Sequence, residues 1–462
     1  MAEKKIVEKK KSRKKKKKHL IGPKEFLFNF ISLVLMIGVG VYFGYRSLYY
    51  YSKQNRQFVA EAQTLNGTVV HNTPVVYDDE VGLHQDSLGY YYKGNVINNY
   101  VSFGNQLFRI IRIAKDNSVR LVSDNYVGVF PWGDDSSYPE SNLYSWLNKT
   151  DWEHSGVYAN TLPNIEKYLV KADYQVSVLN EGKVTSKDEV YSDYISILNV
   201  NDYVLANGME SYLNNKQMFF LLGYDSNNQI LHVEEDGSIL SGDSIEGYGI
   251  RPVITLKPNT VISGGVGTVE DPYVISLGDD LSAFGTYVKL GEDIWRVFYQ
   301  DANFYKLSLN SYLTINGEEI VRNYSQNDSI YDIMDATNIG YYLNHDYVNV
   351  LPYKDILLSF NNYIGEISED QGYKFANIYG NETFPQVGLL NIFDPIVNVS
   401  LADYFHVNNT SSFGGMQYIR LANGLLAEAD VGEAKHIVPV ICIERRRITG
   451  GTGTLADPFV VG

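Results

Sequence analysis

The sequence predicts one transmembrane helix followed by two tandem copies of a similar mixed α+β domain. Three observations predict it. An uncharged apolar run at 26–45 follows a basic tail, a collinear repeat returns about 187 residues later, and helix-type and strand-type apolar patterns occur together inside each copy. The chain divides accordingly into a basic cytoplasmic tail (1–25), a transmembrane helix (26–45), a stalk (46–76), domain copy one (77–275), a linker (276–284) and domain copy two (285–462).

The tail comes first. Residues 1–25 hold twelve Lys or Arg and three Glu, a charge of +9; the chain total of −15 leaves −24 on the remainder. A nucleic-acid binder would carry its basic patch on the folded body, so this division argues against one and for a chain that lies in two compartments. Twenty residues at ~1.5 Å rise match a hydrocarbon thickness of about 30 Å. The dense Lys14–Lys18 run on one side, against the sparse Arg46, Lys53 and Arg56 on the other, sets the N-terminus inside and the body outside. The lysines are expected to lie on an anionic inner leaflet, and Gly40 and Gly44 match a small-xxx-small packing pattern for a homodimer. A cleaved signal peptide is the rival reading, but the apolar run is long for one and has no small-x-small site at its end. One cysteine, Cys442, precludes an intramolecular disulfide, and the Tyr-, Asn- and Ile-rich composition favours a bacterial surface of Gram-positive type.

The repeat fixes the rest of the plan. Tyr100-Val101-Ser-Phe-Gly104-Asn-Gln-Leu107-Phe108-Arg109 resembles Tyr287-Val288-Lys-Leu-Gly291-Glu-Asp-Ile294-Trp295-Arg296, with four identities. Leu162-Pro163 returns as Leu351-Pro352, and Asn199-Val-Asn-Asp202 as Asn391-Ile-Phe-Asp394. Pro252-Val253-Ile254 returns as Pro439-Val440-Ile441. The closing Ile262–Ile275 shares eight of fourteen residues with Ile448–Val461, around Gly-Gly-x-Gly-Thr-x-x-Asp-Pro. A period this long indicates two whole domains, not a solenoid.

Within copy one, Leu107–Ile113 and Val119–Val122 flank Lys115-Asp116-Asn117 and predict a hairpin. Asp86–Gly89 before Tyr90-Tyr91-Tyr92 predicts another. Leu143, Trp146 and Leu147, behind Ser141, predict a short amphipathic helix, and Leu162-Pro163 opens a second that runs through Leu169. Ile230–Val233 and Ile250–Leu256 have strand character.

The order Tyr-Val-x-Phe-Gly…Phe-Arg-Ile, Trp146-Leu-Asn148, Gly249-Ile-Arg251-Pro-Val-Ile254 resembles uncharacterised extracytoplasmic domains of Gram-positive bacteria, and more distantly the C-type-lectin-like fold of sulfatase-modifying enzymes. The resemblance covers about 98–275 and weakens in copy two, where His436-Ile437-Val438 stands for Gly249-Ile250-Arg251. It implies surface display on a compact α+β domain and no defined activity. Sulfatase modification needs paired cysteines, so that activity does not transfer to a chain with one.

Candidate chemistry is sparse. Cys442 with His436 and Arg445 would suit a thiol transpeptidase, yet Cys442 aligns with Thr255 on an apolar strand, which suits packing better. No metalloprotease, serine-hydrolase or phosphate-loop motif is present, and no cofactor is expected. Calcium is the one metal considered, at Asp225–Asn228 or Glu234–Gly237, neither with EF-hand spacing. Trp132 and Trp152 are candidate sugar-stacking platforms, and Arg251 a candidate polar contact. The expected function is non-enzymatic binding or scaffolding at a cell surface, for cell-wall glycan or another surface ligand. The alternatives are a carboxylate-based glycan hydrolase or a purely structural envelope protein.

Overall fold

A computed structural model describes residues 22–24, 27, 31–32, 34, 36–47, 63–133, 137–148, 156–326, 330–362, 365–367, 375–377, 383–409 and 416–462. Two compact units are present, Met1–Glu61 and Ala62–Gly462. In the first, 36–47 is helical. Residues 23–24, 27, 31–32 and 34 are helical as well. Among the described residues no helix is long and apolar enough to cross a membrane, which overturns the expected transmembrane helix at 26–45. The lysine run lies outside the described residues. Nothing stands within 4 Å of a Cβ placed on Gly40 or Gly44.

The second unit corrects the α+β expectation as well. Over the whole chain strands take 39% of residues, in several sheets, and helix 18%. The two helices that the apolar spacing marks do form, but they are short: Asn142–Leu147, capped by Ser141 (Tyr144 N to Ser141 Oγ, 3.1 Å), and the single turn Ile165–Tyr168. One or two turns barely offset the cost of helix nucleation, and the remaining backbone pairs into ladders. The largest addition is a long hairpin, Ala172–Asn180 with Lys183–Asp193, turned at Glu181-Gly182 with φ of 47° and 76°. Positive φ at both central residues is the type I′ geometry that matches strand twist.

The first half is framed by β1 (Tyr100–Phe103), β2 (Gln106–Ala114), β3 (Val119–Ser123), β4 (Ile195–Ile197), β5 (Pro252–Leu256), β6 (Ile262–Gly264) and β7 (Tyr273–Ile275), ordered β6-β7-β1-β2-β3-β5-β4. The second half is framed by β8 (Tyr287–Leu290), β9 (Asp293–Gln300), β10 (Phe304–Leu309), β11 (Val387–Leu389), β12 (Pro439–Glu444), β13 (Ile448–Gly450) and β14 (Phe459–Val461), ordered β13-β14-β8-β9-β10-β12-β11. The two orders correspond strand for strand. So do the registers: Tyr100 faces Arg109 and Tyr287 faces Arg296, and each guanidinium lies over its tyrosine ring, at 3.8 and 4.8 Å. The hairpin predicted around Asp86–Gly89 extends the first sheet through Gly82–Asp86 and Gly89–Lys93.

The repeated turn residues have local causes. Gly104 and Gly291 turn β1–β2 and β8–β9 at φ of 60° and 59°, where an L side chain is strained. The repeated prolines lie on these turns: a Cβ at Gly104 would run into the Pro163 ring, and one at Gly291 would stand 3.2 Å from Pro352. The closing Gly-Gly-x-Gly segment is a hairpin, β6–β7 or β13–β14, whose second strand pairs in parallel with the first strand of its own half.

Part of the expected stalk belongs to the folded unit. Leu65–Asn72 is a helix capped by Thr64, and Leu65 and Val69, four apart on one face, are fully buried. The 276–284 segment is also packed: Ser282 Oγ donates to Thr161 O (2.7 Å), Tyr168 Oη to Leu277 O (2.7 Å), and Lys167 pairs with Asp280. The halves interlock elsewhere too. Trp146 Nε1 donates to Phe393 O (2.9 Å), Arg420 Nη1 to Tyr126 Oη (2.9 Å), and Ile396 N to Val127 O (2.7 Å).

Candidate functional site

A cavity of about 600 Å3 opens where the halves meet, a size typical of small-molecule sites. The first half contributes Val157, Asn160 and Thr161. The second contributes aromatic rings (Phe284, Phe298, Tyr299, Phe304, Phe360, Phe384, Phe393) and polar groups at Gln300, Lys306, Asn361, Asn391, Asp394 and Cys442.

Strand alternation sets this wall. On β12, Ile441 and Ile443 join the main core of the second half, while Val440 and Cys442 point to the opposite face with Phe284, Phe298 and Phe360. Lys306 on β10 sits directly across from Cys442. Its ammonium donates to Asn361 O (3.2 Å) and lies 5.2 Å from the Phe360 ring centre and 5.6 Å from that of Tyr299. Among the described residues it makes no ion pair. Asp394 closes a tight turn: Asn391 N donates to Asp394 Oδ2 (2.8 Å) and Asp394 N to Asn391 O (3.0 Å). Phe393 is held by the Trp146 indole, whose own ring stacks on Tyr158 at 5.7 Å and 18°. Tyr299 and Phe384 are 41% and 57% exposed, and the Tyr299 ring stacks on Phe304 (6.0 Å, 27°).

The electrostatics favour neutral forms. Burial pushes the Asp394 carboxyl up to about 6, against the opposing pull of Lys306. Burial also pushes the Cys442 thiol up to about 12, so it stays protonated and a poor nucleophile near neutrality. Cys442 is 2% exposed.

A second cavity, of about 410 Å3, lies on the first half and shares Asn160 with the first. Its polar lining includes Asn148, Asn164, Glu166, Lys171 and Asp193. Asn148 is fixed by Ile195 O (2.8 Å), and Asp193 accepts from Tyr144 Oη (2.8 Å) with Lys171 at 3.9 Å.

Of the residues singled out in the sequence, Cys442 lines the first cavity, and Trp132 and Arg251 line neither. Trp132 is fully buried, with its ring against Tyr138 (5.7 Å) and Phe220 (5.5 Å), which leaves no face for a sugar. Arg251 is fully buried as well. It donates to Ser123 O (3.0 Å) and Leu213 O (2.5 Å) and lies 4.7 Å from the Phe219 ring, a structural cation that burial brings down to about 10. Trp152 lies outside the described residues. The acidic clusters considered for calcium close turns: Asp225 accepts from Asn227 N and Gln229 N, both at 2.8 Å, and Asp236 from Ser238 N at 2.8 Å. Among the described residues no three His, Cys, Asp or Glu side chains are grouped to hold a metal ion. Lys306, Asp394 and Asn160 were missed. The available signal was the Asn-x-x-Asp pair of the repeat, kept in both copies while the residues around it changed.

No protein-family model matches the chain, and neither a curated protein nor a solved structure matches it.

Proposed function

We propose that the folded body is a non-enzymatic carbohydrate-binding module whose ligand sits in the cavity between the halves. The observation that carries this reading is the composition of the cavity. The partly exposed rings of Tyr299 and Phe384 suit the apolar faces of sugars, and Asn361, Asn391, Asp394 and Lys306 suit hydroxyl groups. The wall carries one carboxylate, Asp394, whereas glycoside hydrolysis uses two about 5–9 Å apart. The other potential nucleophile, Cys442, is a protonated thiol at neutral pH. Cell-wall glycan is the carbohydrate to test first, because the Tyr-, Asn- and Ile-rich composition favours a bacterial surface.

The test is calorimetric titration of the full chain with soluble peptidoglycan and teichoic acid fragments, with product assays on the same polymers. Binding without product release, weakened about fivefold or more by Phe384→Ala at unchanged stability, is expected, since a stacked aromatic contributes ~1 kcal/mol. Product release that is lost on changing one acidic residue, with folding intact, would establish an enzyme instead.

A further inference from the structure

We infer that the ligand is a chain of linked sugar units laid over Asn160, with one end in the aromatic cavity and the other in the polar cavity of the first half. The inference rests on the carbohydrate reading above. Its basis is that the two cavities share Asn160, and that the 157–162 segment is their common wall: Val157 and Thr161 face one cavity, Ala159 and Leu162 the other.

That wall is hydrogen-bonded into the fold and the side chain at its crest is not. Tyr158 is fully buried, stacked on Trp146, and donates to Gln106 Oε1 (2.9 Å). Thr161 Oγ1 donates to Tyr158 O (2.7 Å), which closes the 3-10 turn Ala159–Thr161. Asn160 alone of these is exposed, and its side-chain amide makes no hydrogen bond among the described residues. It therefore presents donors and an acceptor to anything that crosses from one cavity to the other.

The cavities differ in chemistry, which is what a polymer can use and a single small ring cannot. One is walled by aromatics, the other by Asn148, Asn164, Glu166, Lys171 and Asp193. A ligand that occupies both gains from linkage, because the second contact is made at high effective concentration.

The experiment uses the full chain, titrated with glucose, N-acetylglucosamine and their β-1,4-linked oligomers of two to six units. Affinity is expected to rise at least about tenfold from the single unit to the longest oligomer of at least one series. Glu166→Ala and Lys171→Ala, both on exposed side chains of the polar cavity, are expected to bring the long oligomer back toward the short one and leave the short one unchanged. Phe384→Ala is expected to weaken every length. Binding of single units with no gain in length overturns the inference and leaves the carbohydrate reading standing. So does a gain in length that Glu166→Ala and Lys171→Ala leave untouched. An absence of binding by every member of both series overturns the two together.

Discussion

One position in the duplicated sheet is built in two ways. In the first half, Arg120 on β3 faces Thr255 on β5, pairs with Asp202 at 3.3 Å and lies 5.5 Å from the Tyr174 ring. In the second half, Lys306 on β10 faces Cys442 on β12. The counterpart of Asp202 in the repeat, Asp394, is held by a backbone N–H, and no carboxylate pairs with Lys306 among the described residues. The chain enters both places alike, Val170 N bonding Thr255 O at 3.0 Å and Leu358 N bonding Cys442 O at 2.9 Å. Four residues later stand Tyr174 in one half and Asn362 in the other. The larger ring and longer cation close the first location. The smaller replacements go with an open cavity at the second. The same backbone thus supports a locked ion pair or a cavity whose cation has no carboxylate partner among the described residues, according to side-chain volume and reach.

The largest expected effect is at Arg251, whose place in the second half is taken by Val438. Removing the guanidinium in Arg251→Ala leaves two buried carbonyls without donors and should cost about 3–5 kcal/mol or prevent folding, measured by urea denaturation. A loss under about 1 kcal/mol would remove the first half's dependence on its buried cation. Next is the duplicated pair itself. Arg120→Ala should cost about 2 kcal/mol because Asp202 is left nearly buried, and Lys306→Ala less than about 1. Equal losses would erase the distinction between a structural and an available cation.

A smaller effect depends on pH. The Asp394 carboxyl titrates near 6 in the folded chain, above its ordinary value of 3.8. The neutral form is favoured by folding, so this contribution is fully present below about pH 4 and is lost as the pH rises through 6. Asp394→Asn should therefore match the native chain near pH 4 and exceed it by about 1–2 kcal/mol at pH 8, a figure lowered for the partial opening of the group to the cavity. The smallest effect is expected for Cys442→Thr, which restores the residue of the first half. It should shift stability by less than about 1 kcal/mol and leave ligand affinity unchanged, with slow thiol labelling of the native chain.

Much of the framework was legible because its causes are local. Gly104 and Gly291 both take a left-handed turn, and Lys115-Asp116-Asn117 between apolar β-branched runs gives the hairpin of β2 and β3. Ser141 caps a helix three residues on by its own side chain. The fold class was less legible. Apolar spacing over 143–147 and 162–169 is genuine helix signal, but sheet pairing stops each helix after one or two turns, and the 172–193 hairpin outweighs both. The transmembrane expectation read apolar composition over 26–45, whereas among the described residues no helix is long and apolar enough to cross a membrane.

By itself the sequence determined the order of the repeat, its turns and the burial of Cys442, since each follows from residues within a few positions or from the internal alignment. Tertiary structure alone decided which polar and aromatic groups remain available. Trp132 and Arg251 look like recognition residues until Phe219, Phe220 and Tyr138 are folded against them. Asn160, Lys306 and Asp394 look ordinary until segments well over a hundred residues apart line one cavity. Availability is a property of what packs around a side chain, and no local pattern encodes that.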